Sequence, residues 1–457
     1  CLDLFETLKE PDFALSLPPE GDAQAGAQLL PSQLLEALEG AHWCKVLASS
    51  PLVALAVDAS AEAAQRPLIL SGKRLYLRRY WAYERRIDDA LRQRLSAAEP
   101  TPPDLAERLT GLFGAARAGA AIDWQKLACA LATRGAFSII TGGPGTGKTT
   151  TVVKLLALLQ QSTAASLTIK LAAPTGKAAV RLTESISGAR AKLSEQLSPQ
   201  QLERIPTDVT TLHRLLGAVP NRRSFKHNSD NPLQLDVLVV DEASMVDLEM
   251  MAALLAALPE RAQLVLLGDK DQLSSVEAGS VLGDLCRGAA LGAYNSASLA
   301  LLSPYSDQPL TKWQGDGSSL NQATVMLRHS RRFKGAIGQL ALAVNRGDAA
   351  AARAAFNPDV GAEPWPGSVS ALLALQPTTP QAVCDLALGA HGQPSYADYL
   401  RLMQRQPEGQ GTDKHTAWVR SVLQAFERFR ILCAVHQGDW GTQGLNAAVQ
   451  KALADDD

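Results

Sequence analysis

Phe137-Ser-Ile-Ile-Thr141-Gly142-Gly143-Pro144-Gly145-Thr146-Gly147-Lys148-Thr149-Thr150 passes from an apolar run, through a glycine-rich turn, into a helix-forming segment. It matches G-x-x-x-x-G-K-[ST] at every fixed position, and it lies between a strand and a helix, where such a loop belongs. Glycines permit the tight turn that aims backbone N–H groups inward at a phosphate. The helix that follows adds its positive N-terminal end. In that frame Lys148 sets a compact cation against the β- and γ-phosphates of ATP, and the Thr149 hydroxyl is a ligand for Mg2+. A chance glycine-rich turn would not come with that strand and that helix.

Outward from this loop the pattern recurs. The spacing predicts a helix over 124–132, strands over 137–141, 168–173, 237–240 and 264–267, and a long helix over 149–160. Each strand is short, apolar on both faces and followed by a loop and a helix. That is the signature of a parallel sheet covered on both sides, with its chemistry at the C-terminal strand ends.

Those strand ends carry the remaining signals. Val237-Leu-Val-Val-Asp241-Glu242 ends an apolar strand in two acids. Asp241 is placed to hold Mg2+ and Glu242 to polarise an attacking water. An Asp-Glu pair at a strand end is common, but beside a phosphate loop it becomes a hydrolysis site. In Leu266-Leu-Gly268-Asp269-Lys-Asp-Gln272, a neutral amide follows a strand end and can report the γ-phosphate; a polar turn is the bland alternative. Pro174-Thr175-Gly176-Lys177-Ala178 again follows a strand, and reads equally as a contact for a nucleic-acid backbone or as a plain helix cap.

Other segments are weaker. His213, in Thr210-Thr211-Leu212-His213, reads as a structural histidine, and Gln125, in Asp123-Trp124-Gln125, as a surface amide, unless it contacts adenine. Leu327-Arg-His-Ser330-Arg331-Arg332 gathers guanidinium groups that suit either γ-phosphate charge or a solvated turn. Arg74 to Arg94 interleaves arginine with Tyr76, Tyr80, Trp81 and Tyr83. That mixture fits single-stranded DNA, a protein interface, or an amphipathic helix against its own domain.

With 457 residues the chain exceeds one compact core. The organisation expected is an N-terminal domain over 1–115, a complete nucleotide-binding domain over 116–325 and a partial second one over 326–457. A β-hairpin turning at Ser71-Gly72 and a charged helix over 82–96 belong to the first. Residues 287–325 read as a weakly patterned surface excursion, and 429–435 as a strand of the last region. A formal charge of −2 advertises no basic surface, so any DNA contact must come from a local groove. Six scattered cysteines show no metal-ligand spacing and fit a reducing compartment. No apolar run is long enough to span a membrane, and no signal peptide is visible; a cytoplasmic protein is expected. The first residue is Cys rather than Met, so a processed or partial N-terminus is expected.

The motifs, in this order, resemble superfamily 1 helicases, and RecD subunits of RecBCD-type helicase–nucleases in particular. Ile140 to Thr151, Ala172 to Ala179, Thr211 to Gly217, Val239 to Asp247 and Gly268 to Val276 are similar to RecD text nearly word for word. Arg74-Leu-Tyr-Leu and Trp81 resemble the RecD N-terminal domain, and Gly438-Asp-Trp-Gly441 with Gly444-Leu-Asn446 a later segment.

The resemblance implies a RecA-like P-loop NTPase sheet preceded by a small mixed α/β domain that docks on a partner subunit, which favours the interface reading of Arg74 to Arg94. It implies that Gln125 contacts adenine, and that Gly142, Gly143, Pro144, Gly145, Thr146, Gly147, Lys148, Thr149 and Thr150 hold ATP. Thr149 and Asp241 would hold Mg2+, Glu242 would activate water, Gln272 would couple the γ-phosphate to motion, and Arg332 would be the γ-phosphate arginine. Pro174, Thr175, Gly176, Lys177, Thr211 and His213 would touch single-stranded DNA. The family translocates 5′ to 3′ in a heterotrimer with RecB and RecC during double-strand-break repair by homologous recombination. RecD proteins continue into further motifs that are not in this sequence, so truncation at both ends and weak or absent unwinding by the chain alone are expected. A stand-alone RecD-like helicase and a nucleotide-dependent scaffold are the competing readings.

Overall fold

The computed structural model describes residues 1–15, 30–58, 60, 63–97, 101–114, 121–161, 166–222, 224–272, 279, 281–330, 335–356, 379–389, 394–407 and 413–455. The chain divides into two compact units, Cys1–Gly338 and Gln339–Asp457.

The first unit carries two sheets. The small one is ordered β1-β4-β3-β2, from β1 (Leu2–Asp3), β2 (Val53–Leu55), β3 (Leu68–Ser71) and β4 (Arg74–Leu77). Strands β3 and β4 form the expected hairpin, with Gly72 supplying the positive φ of its turn. The large sheet comprises β5 (Phe137–Gly142), β6 (Ile169–Ala173), β7 (Val209–Thr211), β8 (Val237–Val240), β9 (Gln263–Gly268) and β10 (Thr324–Leu327), ordered β10-β5-β9-β8-β6-β7. Every neighbouring pair in it is parallel. This is the RecA-like α/β sheet the sequence pointed to: the phosphate-loop strand β5 and the acid-bearing strand β8 flank β9.

Alternation along each strand explains its two-sided apolarity. Ile140, Leu171, Val239, Val265 and Leu267 join one core with the helices Trp124–Ala132, Lys148–Gln161 and Gly176–Lys192. Ile139, Ala172, Leu238, Val240, Leu264 and Leu266 face a second core built on the helix Leu248–Ala257. Burying both faces removes apolar area from water on each side and leaves little room for polar side chains except at the strand ends.

The second core contains a covering helix from the N-terminal domain. The helix Arg78–Ser96 follows β4 directly and sends Ile87 and Leu91 into that core. Arg94 is buried and donates through Nη1 to the carbonyls of Ala262 (2.6 Å) and Glu260 (3.3 Å), and through Nη2 to those of Pro259 (2.9 Å) and Leu258 (3.1 Å). Leu258 C-caps the helix Leu248–Ala257, so the guanidinium binds the carbonyl of the cap and those of the turn that follows it. The reading of this helix as packed on its own domain is thus not what its inner face does: Ile87, Leu91 and Arg94 pack on the core and loop of the large-sheet domain.

Three expectations need correcting. Residues 287–325 are not a loose excursion: they form the helix Ser296–Leu302 and several 3-10 turns, and bury Tyr294, whose hydroxyl donates to the Thr324 carbonyl at 2.9 Å. A boundary at 325/326 would cut β10, which pairs with β5 from Thr324↔Ile139 to Leu327↔Gly142. Its short apolar run lies close behind a glycine- and serine-rich stretch, which hid it. In the second unit the described residues hold helices, among them Ala336–Asn345 continuing from the first unit, Pro380–Leu388, Tyr396–Met403, Asp413–Phe426 and Thr442–Asp455. The strand expected over 429–435 is absent, and Phe429 and Ile431 instead pack with Cys384, Ala387, Tyr396 and Val449. Among the described residues, no helix is long and apolar enough to cross a membrane.

Candidate active site

The phosphate loop joins β5 to the helix Lys148–Gln161 at the C-terminal edge of the sheet. Gly145 and Gly147 take φ of +76° and +87°, the left-handed region open to glycine. At Gly147 an added Cβ would lie 2.2 Å from Gln125 Nε2, so the Gln125 amide would have to move. The loop is fastened from inside. Thr146 Oγ1 donates to the Gly143 carbonyl at 2.8 Å, Thr151 Oγ1 to the Gly147 carbonyl at 2.9 Å, and Gln125 Nε2 to the Thr146 carbonyl at 3.0 Å. Gln125 is thus buried and braces the loop, not the surface amide that unaided sequence reading favoured. Lys148 Nζ donates to the carbonyls of Gly142 (2.6 Å) and Gly143 (3.2 Å), so its ammonium sits at the mouth of the loop. Thr149 is half-buried beside it, and Pro144 and Thr150 are exposed.

The two acids end β8, two strands away in the sheet. Burial pushes the Asp241 carboxyl up to about 6; a hydrogen bond from the Glu242 backbone and the charge of Lys148 pull it down, and the charge of Glu242 pushes it up. Lys148 and Asp241 therefore share one electrostatic pocket. Glu242 sits at φ 52°, ψ 38°, a left-handed conformation that a non-glycine residue adopts at a cost. Its Oε2 is buried with no hydrogen-bond partner among the described residues.

Beside them, β9 ends in Gly268 and the buried Asp269, which accepts from the Asp271 N–H at 3.1 Å. The Lys270 N–H donates to Thr141 Oγ1 at 3.3 Å, tying this loop to the end of β5. Gln272 follows on the loop and is exposed.

These residues suit Mg2+. A buried carboxyl raised to about 6 and a neighbouring acid with a buried oxygen that has no partner among the described residues make a pair that a cation would stabilise. Among the described residues, no group of three or more histidines, cysteines or acids gathers elsewhere as a metal cage. Mg2+ that keeps its waters and takes phosphate oxygens needs only one or two protein ligands, as Thr149 and Asp241 would supply.

The other predicted residues divide. Strands β6 and β7 lie side by side with Ala173 opposite Thr211, so the loops after them share one edge. Thr175 and Thr211 each cap a helix, accepting from the N–H of Ala178 (3.2 Å) and Arg214 (3.3 Å), which for Thr175 is the bland role the sequence allowed. Gly176 and Lys177 are exposed and Pro174 half-buried. His213 is exposed, with its ring 6.1 Å from that of Phe225. Arg332 lies outside the described residues. Sequence reading missed Ser330, whose hydroxyl donates to the Pro144 carbonyl at 3.1 Å, and Arg328, which packs against Trp124 and Trp313. Only the run of arginines around them hinted at either.

Comparison with known proteins places this geometry. Residues 125–278 match a family model described as an AAA domain, and residues 1–76 one described as the N-terminal domain of RecBCD enzyme subunit RecD. The RecBCD enzyme subunit RecD of Haemophilus influenzae is 46% identical over 235 residues, covering 50% of this chain and 36% of that protein. That of Mycolicibacterium smegmatis is 35% identical over 426 residues, covering 91% of this chain and 62% of that protein. The ATP-dependent RecD2 DNA helicase of Deinococcus radiodurans is 43% identical over 151 residues, covering 33% of this chain and 18% of that protein. The chain thus spans less than two thirds of the length of each of these relatives.

Proposed function

We propose, from the premise that this chain belongs to the RecD family of RecBCD enzyme subunits, that it hydrolyses ATP to drive 5′ to 3′ movement along single-stranded DNA. The observation that carries the reading is the electrostatic meeting of Lys148 with Asp241 from strand ends on either side of β9.

The loop N–H groups and the helix end bind the triphosphate, and Lys148 neutralises charge on its β- and γ-oxygens. Mg2+, held by Thr149 and Asp241, would supply further neutralisation of the phosphates when bound. Glu242, with an oxygen free of hydrogen bonds among the described residues, orients and deprotonates the attacking water. Gln272 reads the γ-phosphate from the loop after β9, and Arg332 completes the charge around it. Gln125 reaches adenine from the same position that braces the loop. The edge formed by Pro174, Thr175, Gly176, Lys177, Thr211 and His213 grips the DNA backbone.

The match of residues 1–76 supports a subunit that works with RecB- and RecC-like partners in cytoplasmic double-strand-break repair, over a stand-alone helicase. The N-terminal domain is the docking element, and the region beyond 338 is part of a second motor domain. The test is ATPase activity of the chain with and without single-stranded DNA, in wild type and Lys148→Ala. Stimulated turnover that Lys148→Ala abolishes supports the motor. Assembly with RecB- and RecC-like partners that is unaffected while no turnover occurs in any form would instead favour a scaffold.

A further inference from the structure

The phosphate loop is held at two carbonyls by side chains from outside it, and the segments that carry those side chains meet through Arg328 and Trp124. Gln125 Nε2 donates to the Thr146 carbonyl at 3.0 Å, and Ser330 Oγ to the Pro144 carbonyl at 3.1 Å. Gln125 follows Trp124 in the first turn of the helix Trp124–Ala132, which Asp123 caps by accepting from the N–H of Gln125 (3.0 Å) and Lys126 (3.2 Å). Ser330 lies two residues beyond Arg328, just past the end of β10.

The bridge between the two is Arg328. Its guanidinium carbon lies 3.6 Å from the Trp313 ring centroid and 4.8 Å from that of Trp124, and the two indoles meet edge to face at 5.1 Å. Its Nη2 donates to the carbonyls of Ala290 (2.9 Å) and Ala289 (3.4 Å). Its Nε is buried with no hydrogen-bond partner among the described residues, and burial lowers its pKa. A desolvated cation in this setting is offset by the two aromatic faces and the carbonyls. A planar, delocalised charge can lie against rings and donate in its own plane, which an ammonium cannot do.

We propose that Arg328 is a positioning residue for the nucleotide loop. It locks the exit of β10 to the start of the helix Trp124–Ala132, so that Ser330 and Gln125 hold Pro144 and Thr146 as one closed circuit. Arg328 touches neither the loop nor the phosphates. Its contribution is a loop already in its binding shape, which lowers the ordering cost of taking up nucleotide. The inference rests on Gly142 to Thr149 being the nucleotide site.

The test is equilibrium binding of a fluorescent ADP with Mg2+ to the full chain, with thermal melting measured in parallel. Arg328→Met and Ser330→Ala should each weaken binding roughly tenfold, as expected for coupling through a packed network. Arg328→Lys should fail to restore it. The double variant should be no weaker than the worse single one, because either change opens the same circuit. Ser330→Ala alters one hydroxyl and keeps the fold, so it reads the idea even if Arg328→Met folds poorly. Unchanged affinity with only a lower melting temperature, or effects that multiply in the double variant, overturns the proposal. Lys148→Ala binding as tightly as wild type removes the premise instead, and is told apart by that variant alone.

Discussion

Lys148 and Asp241 stand at the ends of strands that never pair, yet they meet: burial raises the pKa of the acid, and the lysine's charge offsets part of that rise. Strand β9 lies between β5 and β8 and supplies the spacing. On the proposed function, a triphosphate cradled on one side and a water activated on the other would need such a gap, and its width is set by sheet geometry.

Removing that lysine should silence the site without unfolding it. Lys148→Ala deletes two hydrogen bonds to Gly142 and Gly143 at a half-buried position. ATPase turnover should fall by about a hundredfold or more, while the melting temperature moves little. A variant that still hydrolyses ATP at close to the wild-type rate would show that the phosphates bind elsewhere.

Asp241 should make both stability and cation use depend on pH, in opposite senses. Its pKa is raised from 3.8 to about 6, so the folded protein disfavours its ionised form. The resulting cost to stability is absent below about 3.8, grows between 3.8 and 6, and is complete above 6. Mg2+ needs the ionised acid, so the Mg2+-dependent part of nucleotide affinity should fall as pH drops through about 6. Asp241→Asn should lose that pH dependence and be at least as stable as wild type at neutral pH. Melting curves and nucleotide titrations across this range measure both; a stability gain on raising the pH that Asp241→Asn removes would contradict the assignment.

Glu242→Gln should separate binding from chemistry. The amide keeps the shape at this left-handed position but cannot take a proton. Nucleotide affinity should hold within a few-fold, and single-turnover hydrolysis should drop by about 10²–10⁴-fold. Equal loss of both would mean that the residue holds the loop together instead.

Arg94→Met should destabilise the first unit by about 2–4 kcal/mol, because it strands buried carbonyls that have lost a charged donor. The carbonyls involved are those of Leu258, Pro259, Glu260 and Ala262. Urea unfolding followed by far-ultraviolet circular dichroism gives the number, and a change under about 0.5 kcal/mol, typical of surface substitutions, would mean water replaces the guanidinium.

Legibility in the sequence followed the strength of local constraint. Strand β8 and the helix Trp124–Ala132 are found at the residues the pattern predicts, because each is apolar, sharply bounded and capped. Strands β7 and β10 escaped: each is short, and what makes each a strand is its neighbour, Leu171 to Ala173 for one and Ile139 to Gly142 for the other. The strand expected over 429–435 failed for the converse reason: an apolar run with no partner packs as irregular chain around Cys384 and Val449. The placement of Lys148, Asp241 and Glu242 beside strand ends was readable because the motifs fix residue types there. Ser330 and Arg328 were not, because a hydroxyl on a carbonyl or a cation between indoles leaves no periodic trace.

The helix Arg78–Ser96 carries a practical warning for anyone trimming this chain. Because Ile87 and Leu91 complete the sheet's second core, an ATPase fragment begun near residue 116 would leave a greasy flank bare and should clump on expression. Cutting instead ahead of Arg78 keeps the seal. The same helix also follows the last strand of the small sheet without a break, so the two sheets share one continuous piece of backbone at their border.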